Sequence, residues 1–216
     1  MKHKVIINKN LGNAFILTVE RNGIEFKAGQ HVELSIVGSP YKRPYSIYSG
    51  EKEDFLEFLI KEIPNGDTSP MLRKLLPRDY IELGNPEGNF TVEQEDLNKE
   101  FFLICTGTGI APFHSFVKTY HNLNYLIVHG ISTKQDKYEE NTYEMFRYVP
   151  CISKDPMVTF NKRVTDFMQG YKKANINALY YLCGKGQMIY DVDKLLTENG
   201  VPSKNILWEV YHAERI

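Results

Sequence analysis

Four stretches of the sequence combine residue types and spacings that could do chemistry. Thr106-Gly107-Thr108-Gly109-Ile110-Ala111-Pro112 follows the apolar run FFLIC and precedes a helical pattern. Glycines at such a strand-to-helix turn let backbone N–H groups approach a pyrophosphate whose charge faces the helix N-terminus. Pro112 stands where the third glycine of a G-x-G-x-x-G pattern would fall, and taken alone the segment equally suits a plain tight turn. Leu182-Cys183-Gly184-Lys185-Gly186-Gln187-Met188 is a second Gly-rich turn, after the run ALYYLC. Strands of an open parallel sheet have their carboxyl ends on one edge, so both turns would open onto the same crevice. Without its neighbours, Cys183 suits a small buried thiol.

Arg43-Pro44-Tyr45-Ser46 supplies a guanidinium able to fork a phosphate, a ring able to lie against a planar heterocycle, and a hydroxyl able to bond a ring nitrogen. Strand alternation places Arg43 and Tyr45 on one side and Ser46 on the other. An ordinary edge strand with outward polar residues would read the same way. The last stretch, after the run NIL, holds Glu209 and Tyr211 at the carboxyl end of a final strand, on the edge shared by both Gly-rich turns.

The elements that must position these residues change character along the chain. Up to about Leu97 the runs VIINKN, FILTVER, HVELSIV, RPYSIYS, FLEFLIKEI and YIELGN predict a small six-stranded antiparallel barrel. One helix interrupts it, started by Asp67-Thr68-Ser69-Pro70 and directing Leu72, Leu75 and Leu76 at a barrel mouth. Beyond the polar segment VEQEDLNKE, apolar strands alternate with the helical patterns IAPFHSFVKTYH, YEENTYEMFRYV, RVTDFMQGYKK and QMIYDVDKLLTENG. That alternation predicts an α/β doubly wound parallel sheet, with domains over 1–97 and 98–216.

Composition excludes several classes. A formal charge of −1 over 216 residues does not suit a protein that neutralises nucleic-acid phosphates. Three dispersed cysteines, Cys105, Cys151 and Cys183, form neither a disulfide framework nor an iron–sulfur cluster. No signal-like segment and no apolar run of spanning length is present, which points to a cytoplasmic setting without a membrane span.

Read in order, these segments resemble the ferredoxin-NADP reductase superfamily across nearly the whole chain. Lys27-Ala28-Gly29-Gln30-His31-Val32 is similar to its strand-leading Gly-Gln turn, and Arg43 to Ser46 to its R-x-Y-S flavin motif. Asn65-Gly66-Asp67-Thr68-Ser69 resembles its phosphate turn, and Pro86-Glu87-Gly88-Asn89-Phe90 its closing P-x-G-x-F segment. Thr106 to Pro112 and Cys183 to Met188 match its two nucleotide motifs. The resemblance implies FAD and NADP(H) as cofactors. Arg43 would pair with the flavin pyrophosphate, Tyr45 pack on the isoalloxazine, and Ser46 bond near N5, with Pro44 in the same motif. Gly66, Asp67, Thr68 and Ser69 would hold the flavin phosphates. Thr106, Gly107, Thr108 and Gly109 would hold the nicotinamide nucleotide, with Cys183, Gly184 and Met188 from the second motif. Glu209 and Tyr211 resemble the acidic-aromatic ending of plant-type members, although five residues follow Tyr211 here. His212 or the rest of that tail could take part of this surface.

After NYLIVHG no acid stands where NAD sites accept from the ribose 2′-hydroxyl; Ile131-Ser132-Thr133-Lys134 follows instead. Ser132 can hydrogen-bond a 2′-phosphate, and Lys154 and Arg163 fall where the family places its phosphate-binding basic residues, which favours NADP over NAD. Lys154 keeps the charge of the usual arginine without its fork. The implied activity is hydride exchange between NADP(H) and FAD and single-electron exchange with ferredoxin or flavodoxin, with Ser46, Cys183, Glu209 and Tyr211 around the reacting rings. A monomer is the favoured state. Lys42, Lys172 and Lys173 would either face an acidic ferredoxin or be ordinary solvated surface. Alternatives are a reductase component of a hydroxylase, a free-flavin reductase, or a non-enzymatic electron-relay subunit that binds partners through a helix over Tyr138 to Tyr148.

Overall fold

A computed structural model describes residues 1–154, 163–170 and 174–211. Lys172, Lys173 and His212 lie outside the described residues. Contacts group residues 1–92 with 111–121, and residues 93–110 with 122–211 of the described chain.

In the first unit, β1 (Lys2–Asn10), β2 (Ala14–Glu20), β3 (His31–Ile36), β4 (Arg43–Ser46), β5 (Phe55–Lys61) and β6 (Tyr80–Leu83) form one antiparallel sheet ordered β4-β3-β6-β1-β2-β5. All six expected strands are present. Val5, Leu17, Val32, Leu34, Phe58 and Ile81 fill its interior, drawn from alternate strand positions as a one-sided core requires. Helix α1 (Ser69–Arg73) adds Leu72 to that core, and Leu75 packs against it. Leu76 departs from the expectation: it is 68% exposed, because the helix ends at Arg73 and the chain turns before Leu76 can face inward.

Helix α2 (Ala111–Thr119) is buried over Ala111 to Phe116, and it groups with the barrel rather than with the strand that precedes it. Pro112 is tolerated in its first turn, where no N–H partner is needed. The Ser115 hydroxyl donates to Ser49 O at 2.7 Å, His114 Nδ1 lies 2.7 Å from Tyr48 O, and the His114 and Tyr48 rings stack at 3.6 Å. Gly29, at φ +92°, has no room for a Cβ, which would overlap the Phe90 carbonyl and press on the Phe116 ring.

In the second unit β7 (Glu100–Thr106), β8 (Asn124–Ile131), β9 (Tyr148–Ile152), β10 (Leu179–Gly184) and β11 (Ile206–Val210) form a parallel sheet ordered β11-β10-β7-β8-β9. Both α3 (Val164–Gly170) and α4 (Gly186–Glu198) cover one face, burying Val164, Met168, Met188, Val192 and Leu196 with Phe102, Ile104 and Tyr180.

The helix expected over YEENTYEMFRYV does not form. The β8–β9 connection instead makes single 3-10 turns at Lys134–Asp136 and Glu140–Thr142, with Glu139 left-handed at φ +48°. Tyr138 and Tyr143 are buried, and Tyr148 is already in β9. Residues five apart fall about 140° around a helix, so no helical face could bury all of them. Partner docking through a Tyr138 to Tyr148 helix therefore has no helix to use. Among the described residues, no helix is long and apolar enough to cross a membrane.

Candidate functional site

The strand-tip edge of the second unit is assembled by register. Glu209, Cys183, Cys105, His129 and Pro150 are consecutive partners across β11, β10, β7, β8 and β9, so their side chains share one row on one face. One residue further on stand Val210, Gly184, Thr106, Gly130 and Cys151. Thr106 Oγ1 accepts the Lys185 N–H at 2.9 Å, joining the two Gly-rich turns across a sequence separation of 79.

The glycines of this edge are there for close approach. A Cβ on Gly109 would lie 2.6 Å from the Cys183 carbonyl oxygen. On Gly184, at φ +127°, it would overlap Thr106 Oγ1. Gly107 has open space around it but sits at φ +54°, a backbone that side chains rarely adopt. Thr106 to Gly109 and Cys183 to Gly184 are thus brought together, whereas Met188 packs into the core beneath α4.

Cys183 is fully buried, and burial holds its thiol well above the usual range, with the Glu209 carboxylate and Cys105 adding to the rise and a Tyr211 hydrogen bond opposing it. It is a neutral thiol, hydrogen-bonded with Tyr211 and standing opposite Glu209 in the strand register. Tyr211 is half-buried, and its backbone N–H donates to the Gly184 carbonyl at 2.9 Å, extending the edge past β11. Ser132 and Lys154 also meet, the Lys154 N–H donating to Ser132 O at 2.9 Å. Arg163 is exposed immediately before α3, and its N–H donates to Asp166 Oδ2 at 2.8 Å. Asp136, the first acid after β8 in the sequence, is buried and accepts the Thr133 N–H at 2.8 Å.

His129 was not legible as a functional residue, because one histidine inside an apolar run carries no motif. The only signal was its place directly before Gly130 at a strand tip.

In the first unit, Arg43 and Tyr45 pair with Leu34 and Val32, so they share the inner face, and Ser46 is buried on the other, as alternation requires. Tyr45 packs part of its ring on the barrel core, and burial pushes its phenol up to about 12 against the opposing Arg43 charge. The half-exposed Arg43 guanidinium lies 3.2 Å from Asp67, joining β4 to the turn before α1. Pro44 is exposed, and the turn tightens through a Gly66 N–H bond to Ile63 O. Ser69 Oγ accepts the Ile63 N–H, whereas the Thr68 hydroxyl is buried with no hydrogen-bond partner. An unmatched buried O–H one residue from the Arg43–Asp67 pair has the donor chemistry an oxyanion takes, so these residues fit a flavin pyrophosphate.

Residues 1–92 match the oxidoreductase FAD-binding domain family, and residues 103–194 the oxidoreductase NAD-binding domain family. The toluate 1,2-dioxygenase electron transfer component of Pseudomonas putida is 27% identical over 92% of this chain and 62% of its own length. The chain therefore spans less than two thirds of that relative. A ferredoxin-NADP reductase of Pseudomonas aeruginosa is 30% identical over 72% of this chain and 68% of its own. In fold, the chain superposes on a ferredoxin NADP+ reductase from Neisseria gonorrhoeae with TM-score 0.85 and 22% identity, covering 97% of this chain and 98% of the other. With both domain families matched in order and a reductase relative aligned over most of its length, this chain belongs to the ferredoxin-NADP reductase-like superfamily of FAD- and NAD(P)-binding oxidoreductases.

Proposed function

We propose that this chain is a ferredoxin- or flavodoxin-NADP reductase, exchanging hydride between NADP(H) and FAD and single electrons with a small carrier protein. The observation that carries the reading is the joined pair of Gly-rich turns at one strand-tip edge, with Cys183 and Glu209 in adjoining register. Bound flavin would supply a centre that takes two electrons at once and releases them singly. Arg43 and the Thr68 hydroxyl hold its phosphates, Tyr45 offers the exposed part of its ring, and Ser46 a hydroxyl. Backbone donors of Thr106 to Gly109 hold the dinucleotide pyrophosphate. Cys183 fills the space beside the nicotinamide without ionising, Glu209 handles protons, and Tyr211 bounds the edge.

Preference for NADP is supported by Ser132 meeting Lys154 and by Asp136, whose carboxylate is taken up by its own turn. A second reading, the reductase component of an oxygenase, is favoured by the toluate dioxygenase relative aligned over nearly all of this chain.

An absorbance spectrum of the purified protein, titrated anaerobically with NADPH and then NADH, tests both. Flavin bands that bleach at lower NADPH than NADH concentration, followed by turnover with ferredoxin or flavodoxin, are the expected result. Turnover confined to an oxygenase partner selects the second reading. A colourless protein that takes up no FAD removes both and leaves a relay or regulatory subunit.

A further inference from the structure

The His129 imidazole is fully buried at the tip of β8, with both nitrogens engaged. Nε2 lies 2.8 Å from the Gly107 carbonyl oxygen and Nδ1 lies 2.9 Å from the Tyr148 hydroxyl. A carbonyl can only accept, so Nε2 carries the proton, and Nδ1 accepts from Tyr148. Burial depresses the imidazole to about 4, which keeps this neutral tautomer in place at working pH.

The mount for this ring is the connection that failed to become a helix. Tyr148 stacks on Tyr143 at 5.2 Å and meets His129 edge-on at 5.9 Å; Tyr138 flanks the imidazole at 6.4 Å and hydrogen-bonds Asp136. Arg147 closes the far end by donating to Leu123 O at 2.8 Å and pairing with Glu144.

Gly107 C=O and Thr108 N–H belong to one planar trans peptide, so they point in opposite directions. Drawing the carbonyl down onto a buried donor aims the Thr108 N–H away from it. Gly107 at φ +54° is the residue that permits this orientation.

We propose that His129 is a positioning residue for dinucleotide binding: its Nε2–H fixes the Gly107–Thr108 peptide so that the Thr108 N–H faces the pyrophosphate, and the tyrosine-rich β8–β9 connection holds the imidazole in the required tautomer. The inference rests on the reading of this strand-tip edge as the pyridine-dinucleotide site.

The test is calorimetric titration of wild type, H129L, H129Q and Y148F with NADP+, with NAD+, and with 2′-AMP, which lacks the pyrophosphate. Bound flavin per chain and the thermal midpoint serve as folding controls. H129L should weaken dinucleotide binding about tenfold, the worth of one lost buried hydrogen bond, with KM for the nucleotide rising more than kcat falls. Its affinity for 2′-AMP should stay within about twofold, and H129Q, whose side-chain amide can still donate, should recover most of the dinucleotide affinity. Y148F keeps the ring and removes only the donor to Nδ1, so about threefold is expected from it. Unchanged dinucleotide affinity in H129L and Y148F, or equal loss of NADP+ and 2′-AMP in a folded variant, overturns the proposal while the dinucleotide site stands. Wild type that binds neither dinucleotide overturns both.

Discussion

The barrel and the parallel sheet place polar groups beside an apolar core in different ways. In the barrel the charges of the candidate site stay at the rim: Arg43 and Asp67 are half exposed, with the buried hydroxyls of Ser46 and Thr68 close to them in sequence, and one strand plus one turn supply the whole set. In the sheet the polar groups are sunk into the fold, with His129, Cys105 and Cys183 fully buried and drawn from three strands. Topology accounts for the difference. Parallel strands leave all their carboxyl ends at one edge, whereas antiparallel neighbours alternate ends, so a rim mixes strand starts, strand ends and the turns between them. A buried polar row is rigid but intolerant of change; a rim tolerates change and binds through groups still free to move.

The largest effect that would break this contrast is expected at Gly184. Gly184→Val should cost the sheet more than about 3 kcal/mol, since it combines a strained φ with overlap on Thr106. Trp208 in β11 is the only tryptophan, so its fluorescence in urea follows this unit. A transition at the wild-type urea concentration would mean that the edge can relax.

Acid should separate the two regions next. The unfolded chain takes up the His129 proton near its ordinary value of 6.5, whereas burial holds the folded group at about 4. Stability is therefore full above pH 6.5 and falls as pH drops towards 4, by about 3 kcal/mol from this group. His3 in the barrel is lowered in the same direction by burial. The Trp208 thermal midpoint should decline between pH 7 and 4.5 in wild type and decline less in H129Q; parallel curves would contradict the assignment.

Thr68→Val probes the rim with opposite signs. Removing an unmatched buried hydroxyl should stabilise the flavin-free protein by about 0.5 to 1 kcal/mol and weaken FAD binding about tenfold. Denaturant melts with and without added FAD give both values, and equal shifts in the two would show that the hydroxyl does not meet the flavin. Arg43→Gln should matter least to the flavin-free protein, under about 0.5 kcal/mol, because its ion pair with Asp67 is half exposed. A larger loss in urea melts would place Arg43 among the structural residues of the barrel.

What could be read along the chain was local. Alternating apolar residues gave β1 to β6, buried apolar runs gave the parallel strands, and glycines at strand ends gave Gly107, Gly109 and Gly184 as turn positions. The Tyr138 to Tyr148 segment misled because its composition admits a helix, while burial of tyrosines five apart forbids one.

The sequence by itself determined which segments extend or coil and which turns can approach an anion, since those choices depend on residues within a few positions of one another. Only the tertiary structure decided that Cys183 stands beside Glu209, that Thr106 grips the Lys185 amide 79 residues away, and that His129 reaches back 22 residues to Gly107. Those pairings depend on strand order and register, which are fixed by burying both faces of a sheet at once and leave no trace in the spacing of neighbouring residues.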